Sequence, residues 1–338
     1  MKLSIILPVY NVARFIPDCL DSLLCQDIAK DDYEIICVDD GSPDNSTEVI
    51  KGYAKLYSNI KLISQPNSGV CVARNNGFEN AKGKYTWFVD PDDYIAPNCL
   101  GKLVSALDEN NADLITFDYF NVEEESSFKE VKASEIKIEP QVGYRAKGGG
   151  WQYICRRQYL IDNAIIYNKD LAYGEDYLWA FQINYRKHVG LETKSEVYYY
   201  RQRQGSAMHS KTEQRKKRYI EDLQKLALIY VDEYNRCKEE QFPAKILKAI
   251  KRRRYIAVQS AIWGLITFAK SKEEVVFNLD RMKQQGIYPY PWTWWNLFTK
   301  RIQCRWLLKV LMLPTPVKGY VVFLNCLYRK INKKSCST

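Results

Sequence analysis

The sequence predicts an α/β fold, a mainly parallel sheet with helices on both faces, followed by a helical region. Three observations predict it. Short β-branched and aromatic runs alternate with helical patterns over the first hundred residues. Those runs stop at polar clusters, the sharpest being Phe88-Val89-Asp90-Pro91-Asp92-Asp93. Charge then changes sign along the chain. Residues 1–210 carry 23 Lys and Arg against 30 Asp and Glu, and residues 211–338 carry 27 against 10. That asymmetry suggests an acidic α/β domain over 1–210 joined to a basic helical, membrane-associating region over 211–338. The plainer reading of the second half is that Lys and Arg only solvate exposed helix faces.

Leu3 to Asn11 reads as the first strand and Ile16 to Cys25 as the first helix. Ile35 to Ser42 is the second strand, ending in acids and a glycine. Asn45 is placed to cap a helix over Thr47 to Tyr57, with Glu48 as its capping-box partner. Ile60 to Ser64 is a shorter strand, and Asn67-Ser68-Gly69 opens a helix over Val70 to Asn80. Tyr85 to Val89 is the fourth strand, which Pro91 cannot continue, so the carboxylates sit on the turn leaving it. Alternation of this kind gives a sheet covered on both faces, with ligands beyond the carboxyl ends of its strands. Tyr10, Asn11, Asp39, Asp40, Asp90 and Asp92 all fall at those ends. Clustered carboxylates repel unless a cation compensates them, and hard oxygens favour Mg²⁺ or Mn²⁺ over Zn²⁺. The competing reading is a solvated Asp-rich turn.

Four ordered segments carry a resemblance. Leu7-Pro8-Val9-Tyr10-Asn11, Asp39 through Ser46, Asn67-Ser68-Gly69 through Gly77, and Asp90-Pro91-Asp92-Asp93 resemble the motifs of family 2 glycosyltransferases of the bacterial polysaccharide type. The likeness is dense over the first hundred residues and thinner to about residue 210. It implies the GT-A fold, which is Rossmann-like, and inverting, metal-dependent transfer of a sugar from a nucleotide-sugar, a UDP-sugar by expectation. The acceptor expected is a saccharide or lipid-linked saccharide hydroxyl in surface polysaccharide synthesis.

The resemblance also implies roles. Pro8, Tyr10 and Asn11 border the nucleobase, and Asp39 accepts a hydrogen bond from a uracil N–H. Asp39 and Asp40 alternatively cap the turn into the next helix, which Gly41, Ser42 and Asn45 suit. Asp90 approaches ribose and metal, Asp92 ligates the metal, and Asp93 lies behind them. Arg74 reaches a phosphate or the Asp90 cluster, or forms a structural salt bridge. Glu175-Asp176 in Tyr173-Gly174-Glu175-Asp176-Tyr177-Leu178-Trp179 resembles the family's Glu-Asp pair, with Asp176 as general base and Glu175 as its neighbour. A helix N-terminus favours the ionised carboxylate a base requires. Trp151, Tyr177 and Trp179 are candidates to stack on acceptor sugars, or else core side chains. Tyr198 to His209 resembles the loop that closes over the donor, with Arg201 or Arg203 on the diphosphate and His209 as a further metal ligand.

Other classes lose support. Gly77 to Tyr85 has the wrong spacing for a phosphate-binding P-loop, and Tyr85 stands where Ser or Thr is required. No G-x-G-x-x-G follows a strand, and no Q-x-x-R-W signature of processive synthases is present. A sugar nucleotidyltransferase would carry a glycine-rich basic loop, absent from Leu7 to Phe15. A non-catalytic nucleotide-binding or membrane-scaffold protein would not need the four acids Asp39, Asp90, Asp92 and Asp176. The ten cysteines lack a C-x-x-C pair and read as reduced thiols of a cytosolic protein, and no signal peptide is expected. Nucleic acid is not an expected partner, because no reading module accompanies the basic residues. Two apolar runs, Trp306–Leu313 and Val321–Tyr328, are too short to span a bilayer and are flanked by bases. With Trp292, Trp294 and Trp295 they suggest a segment lying on the inner face of the cell membrane.

Overall fold

The computed structural model describes residues 1–133, 135–142, 148–203 and 212–287. The chain divides into two compact units, residues 1–210 and 211–338. The elements of the first unit are, in order, β1 (Leu3–Val9), α1 (Ile16–Leu24), β2 (Tyr33–Asp39), α2 (Ser46–Leu56), β3 (Ile60–Ser64), α3 (Val70–Asn80), β4 (Tyr85–Phe88), β5 (Tyr94–Ile95), α4 (Leu100–Glu109), β6 (Leu114–Glu123), β7 (Ile138–Pro140), β8 (Tyr153–Arg156), α5 (Arg157–Asp162), α6 (Glu175–Tyr185) and β9 (Gly190–Gln202). One nine-stranded sheet runs β3-β2-β1-β4-β8-β6-β9-β5, with β7 on β9.

The first half of the sheet is parallel: β2 pairs with β1 and β3, and β1 with β4. Antiparallel β8 then joins β4 to β6, and β6 runs parallel to β9. Strands buried on both faces need apolar residues on both. Leu3, Ile5, Leu7 and Val9 enter one core with α1 and α4, while Ile6 enters the other with Val38, Phe88 and Trp179. Helix α3 lies close on β1, because a Cβ at Gly77 would sit 2.4 Å from the Ile6 methyl. Pro8 is tolerated within β1 for a local reason. β4 pairs only as far as Ile6, so the missing N–H of Pro8 falls past the end of that neighbour.

Three details depart from the sequence reading. β1 ends at Val9, and Asn11 turns the chain at φ 55°. Asn45 precedes α2 without a side-chain cap; Asp44 instead accepts from Ser46 N–H and Oγ, and from Ala13 N–H at 2.8 Å. Tyr198 to Gln202 is the end of β9, not a loop.

Helices α7 (Glu213–Glu239), α8 (Ala244–Phe268) and α9 (Lys272–Gln284) make up the described part of the second unit. α7 and α8 form an antiparallel hairpin, with Gly264 against Ile220 and Lys251 over Tyr234. Their shared core contains Ile220, Tyr230, Ile250, Ala261 and Leu265. No helix among the described residues is long and apolar enough to cross a membrane. His209 and the apolar, basic tail beyond residue 287 lie outside the described residues.

Candidate active site

The polar residues expected at strand ends lie just at or past the ends of β1, β2 and β4. Asp39 ends β2, and its two carboxylate oxygens accept from Ser42 N–H at 3.0 Å and Thr47 Oγ at 2.8 Å. Tyr10, just past β1, is 48% exposed and free to take a planar group. Asp40 accepts from Ser68 N–H, Gly69 N–H and Gln65 Nε2 at 2.7–2.8 Å. The carboxylate therefore occupies the N-terminus of α3, where free N–H groups and the helix dipole favour an anion.

Beyond β4 the carboxylates separate by role. Asp93 is buried and accepts from Tyr198 Oη at 2.7 Å and Arg201 N–H at 2.8 Å, which ties the turn to β9. Burial and the neighbouring Asp92 and Asp90 hold its carboxyl well above the usual range. Asp92 pairs with Arg203 at 2.6 Å and Asp90 with Arg74 at 3.0 Å, each acid remaining about a fifth exposed. Burial raises the Asp92 carboxyl, Arg203 opposes that rise, and Asp90 adds to it.

Arg74 organises the other side. It stands one turn into α3 and is 4% exposed. Its guanidinium reaches Asp90 at 3.0 Å, Asp176 at 3.1 Å and Glu175 at 3.4 Å, and lies over the Tyr167 ring at 4.7 Å. Burial disfavours its charge, but Asp176, Tyr167, Asp90 and Glu175 together hold it well above the ordinary guanidinium value. Asp176 and Glu175 open α6, after Gly174 in a left-handed conformation at φ 79°. One cation faces three carboxylates, so the acids stay under strain. Burial and Asp176 push Glu175 up to about 8, against the pull of Arg74. Burial also raises Asp176, while Arg74 and hydrogen bonds from Tyr167 and Gly150 lower it.

Several expected roles change. Arg74 is sealed beneath the acids, so it clamps carboxylates and does not offer itself to a phosphate. Trp179 is 2% exposed, stacked on Tyr167 at 5.1 Å and edge-on to Phe88, which leaves no face for an acceptor sugar. Its effect is to fix Tyr167 under Arg74. Trp151 is 9% exposed and stacks on Tyr198 at 4.5 Å. Arg201 is spent on Asp18 at 2.7 Å and the Ser126 carbonyl, so of the two arginines it is Arg203 that reaches the Asp92 carboxylate. Tyr167, Tyr198 and Thr47 were missed; no local pattern distinguishes them, because their partners lie on other elements.

Comparison with known proteins bears on the family and the fold. Residues 4–167 match the model of Glycosyl transferase family 2. An uncharacterized glycosyltransferase EpsJ of Bacillus subtilis is 33% identical over 184 residues, 51% of this chain and 53% of that protein. A poly(ribitol-phosphate) beta-glucosyltransferase of Bacillus spizizenii is 32% identical over 215 residues, 62% of this chain and 33% of that protein. The chain thus spans from about a third to about half of the length of these curated relatives. Two crystal structures of S. aureus TarS residues 1–349, the second in complex with UDP, share the fold at TM-scores of 0.60 and 0.59. They cover 85% of this chain and 89% of theirs, at 22% and 24% identity. Over residues 4–167, just under half of its length, the chain is thus similar to glycosyl transferase family 2.

Proposed function

We propose that the chain transfers a hexosyl or N-acetylhexosaminyl group from a UDP-sugar to a hydroxyl of a saccharide or lipid-linked saccharide, with inversion. One observation carries the reading: Arg74 holds Asp90, from the end of a parallel strand, and Asp176, from the head of α6, on a single guanidinium. That juxtaposition supports reading Asp90 as a donor-side acid and Asp176 as the base of a single site. The crystal forms of TarS residues 1–349 with UDP and with UDP-GlcNAc support the choice of donor.

In this mechanism Tyr10 and Asp39 hold the base of the nucleotide, with Pro8 and Asn11 shaping the edge. Asp176 accepts the proton of the acceptor hydroxyl as that oxygen attacks the anomeric carbon. The bond to the nucleotide diphosphate breaks on the opposite face, and UDP leaves with the electron pair. Arg74 keeps Asp176 ionised against its burial, and Glu175 holds a proton beside it. Trp151 backs the acceptor side.

Among the described residues no group of three or more His, Cys, Asp or Glu side chains is arranged to hold a metal. Asp90 and Asp92 nonetheless suit Mg²⁺ or Mn²⁺, ions commonly held by one or two carboxylates together with substrate phosphates. Such an ion would neutralise charge developing on the departing diphosphate. The proposed setting is peripheral, on the cytoplasmic face of the membrane, where the basic second half would associate with lipid.

The test is release of UDP from a panel of UDP-sugars with and without acceptor. Transfer should stop when metal is stripped with EDTA, and Asp176→Asn should cut turnover by roughly 10²-fold or more while UDP binding persists. Wild-type transfer by Asp176→Asn would remove Asp176 as the base. Pyrophosphate as the product would favour a sugar nucleotidyltransferase instead.

A further inference from the structure

Helix α8 carries Lys245, Lys248, Lys251, Arg252, Arg253 and Arg254 and no acidic residue. Its buried side, with Ile250, Val258, Ala261 and Leu265, packs in the helical unit. Three of the bases are engaged there or face that way: Lys251 lies over Tyr234, Arg254 donates to the Gly286 carbonyl, and Arg253 also has a partner. Lys245, Lys248 and Arg252 are different. They are exposed and make no ion pair or hydrogen bond with any described residue.

Helical geometry puts these three in line with two apolar side chains. Positions 245, 248, 252, 256 and 263 share one face at 3.6 residues per turn and extend over roughly 27 Å. Ile256 and Trp263 complete that face, each 37% exposed. A stripe of unpaired cations alone would suit any polyanion. Adding an exposed Ile and an exposed Trp suits a surface with anionic headgroups above an apolar layer. Lys and Arg stems lie along such a boundary with their charges at the headgroups, and Trp sits at the same depth.

We infer that the Lys245–Lys248–Arg252–Ile256–Trp263 face of α8 docks the helical unit on an anionic lipid surface. The inference deepens the peripheral-membrane part of the proposed function, and it places the contact in a folded helix rather than only in the tail.

The experiment uses the full chain, with sedimentation against vesicles of phosphatidylcholine alone and of phosphatidylcholine with phosphatidylglycerol. Wild type should bind the second and not the first. Lys245→Gln/Lys248→Gln/Arg252→Gln should weaken binding about tenfold or more at low salt, since each base near an anionic surface contributes several-fold. Trp263→Ser should weaken it at both low and high salt, because salt screens charges and not apolar burial. All five substituted or neighbouring positions are on the surface, and far-UV circular dichroism checks that the variants fold. If both variants bind as wild type does, the α8 contact is wrong, while binding through the tail and the membrane setting stand. If wild type ignores anionic vesicles, both fall. If the triple variant loses soluble polyphosphate but keeps vesicles, the face serves a polyanion and the lipid assignment is overturned.

Discussion

At the scale of single residues, the site is governed by a mismatch of charge. Arg74 supplies one positive charge to Asp90, Asp176 and Glu175. Burial, reinforced by Asp176, holds the Glu175 carboxyl near pH 8, against a usual value of 4.5. The consequence for stability has a definite sign. Between those two values the folded chain keeps a proton that the unfolded chain has lost, so stability falls as pH rises and levels off above about 8. Glu175→Gln imitates the protonated form and removes this contribution. Its melting temperature should therefore fall less than that of wild type between pH 6 and 9. Superimposed curves, measured by differential scanning calorimetry, would mean that Glu175 is ionised at neutral pH. Asp90, Asp92 and Asp176 could be found in the sequence because their spacing to strand and helix ends is local. The clamp could not, since Arg74 and Glu175 are a hundred residues apart and meet only through the fold.

At the scale of elements, helix entry is where the sequence reading was least complete. The acid that caps α3 is Asp40, at the end of another strand, and the acid that organises the entry to α2 is Asp44, not Asn45. Capping boxes are read from neighbours three apart, whereas Asp40 reaches α3 from the end of another strand and Asp44 sits two residues before Ser46 while also accepting from the distant Ala13 N–H. Asp40→Ala would leave Ser68 and Gly69 N–H and Gln65 Nε2 without their acceptor. The loss should be roughly 1–2 kcal/mol of unfolding free energy, the scale of a lost helix cap, because Ser68 and Gly69 are exposed and water can take up part of what the carboxylate accepted. Asp40→Asn keeps one acceptor oxygen and should fall between the two in urea unfolding. Equal stability of Asp40→Ala and wild type would mean water replaces the carboxylate. The parallel strands β1 to β4 were legible because each is a short apolar run closed by a turn signal. β5 to β9 were not: β5 has two residues, and β6 and β9 pair across a register shift between Phe117 and Tyr119.

At the scale of the whole molecule, two units of opposite charge share one chain. The last 51 residues, 288–338, hold nine of the bases and no acid, and the described helices hold most of the rest. Composition revealed that division without revealing what uses it, because a base solvating a helix face and a base facing lipid look alike in sequence. For α8 it is the exposed Ile256 and Trp263, in line with the three bases, that favour lipid over simple solvation. The tail and α8 should then act as separate contributions to one equilibrium, and distant contributions add in free energy. A chain ending at residue 287 should bind anionic vesicles more weakly than the full chain and still respond to Lys245→Gln/Lys248→Gln/Arg252→Gln by the same factor. Its affinity for UDP should be unchanged, since every donor residue proposed lies in the first unit. Raising salt should remove more of the binding from the shortened chain's basic face than from the full chain, whose tail also offers tryptophans and leucines to the interface. If shortening the chain abolishes the effect of the triple substitution, α8 acts only with the tail in place, and the two form a single contact.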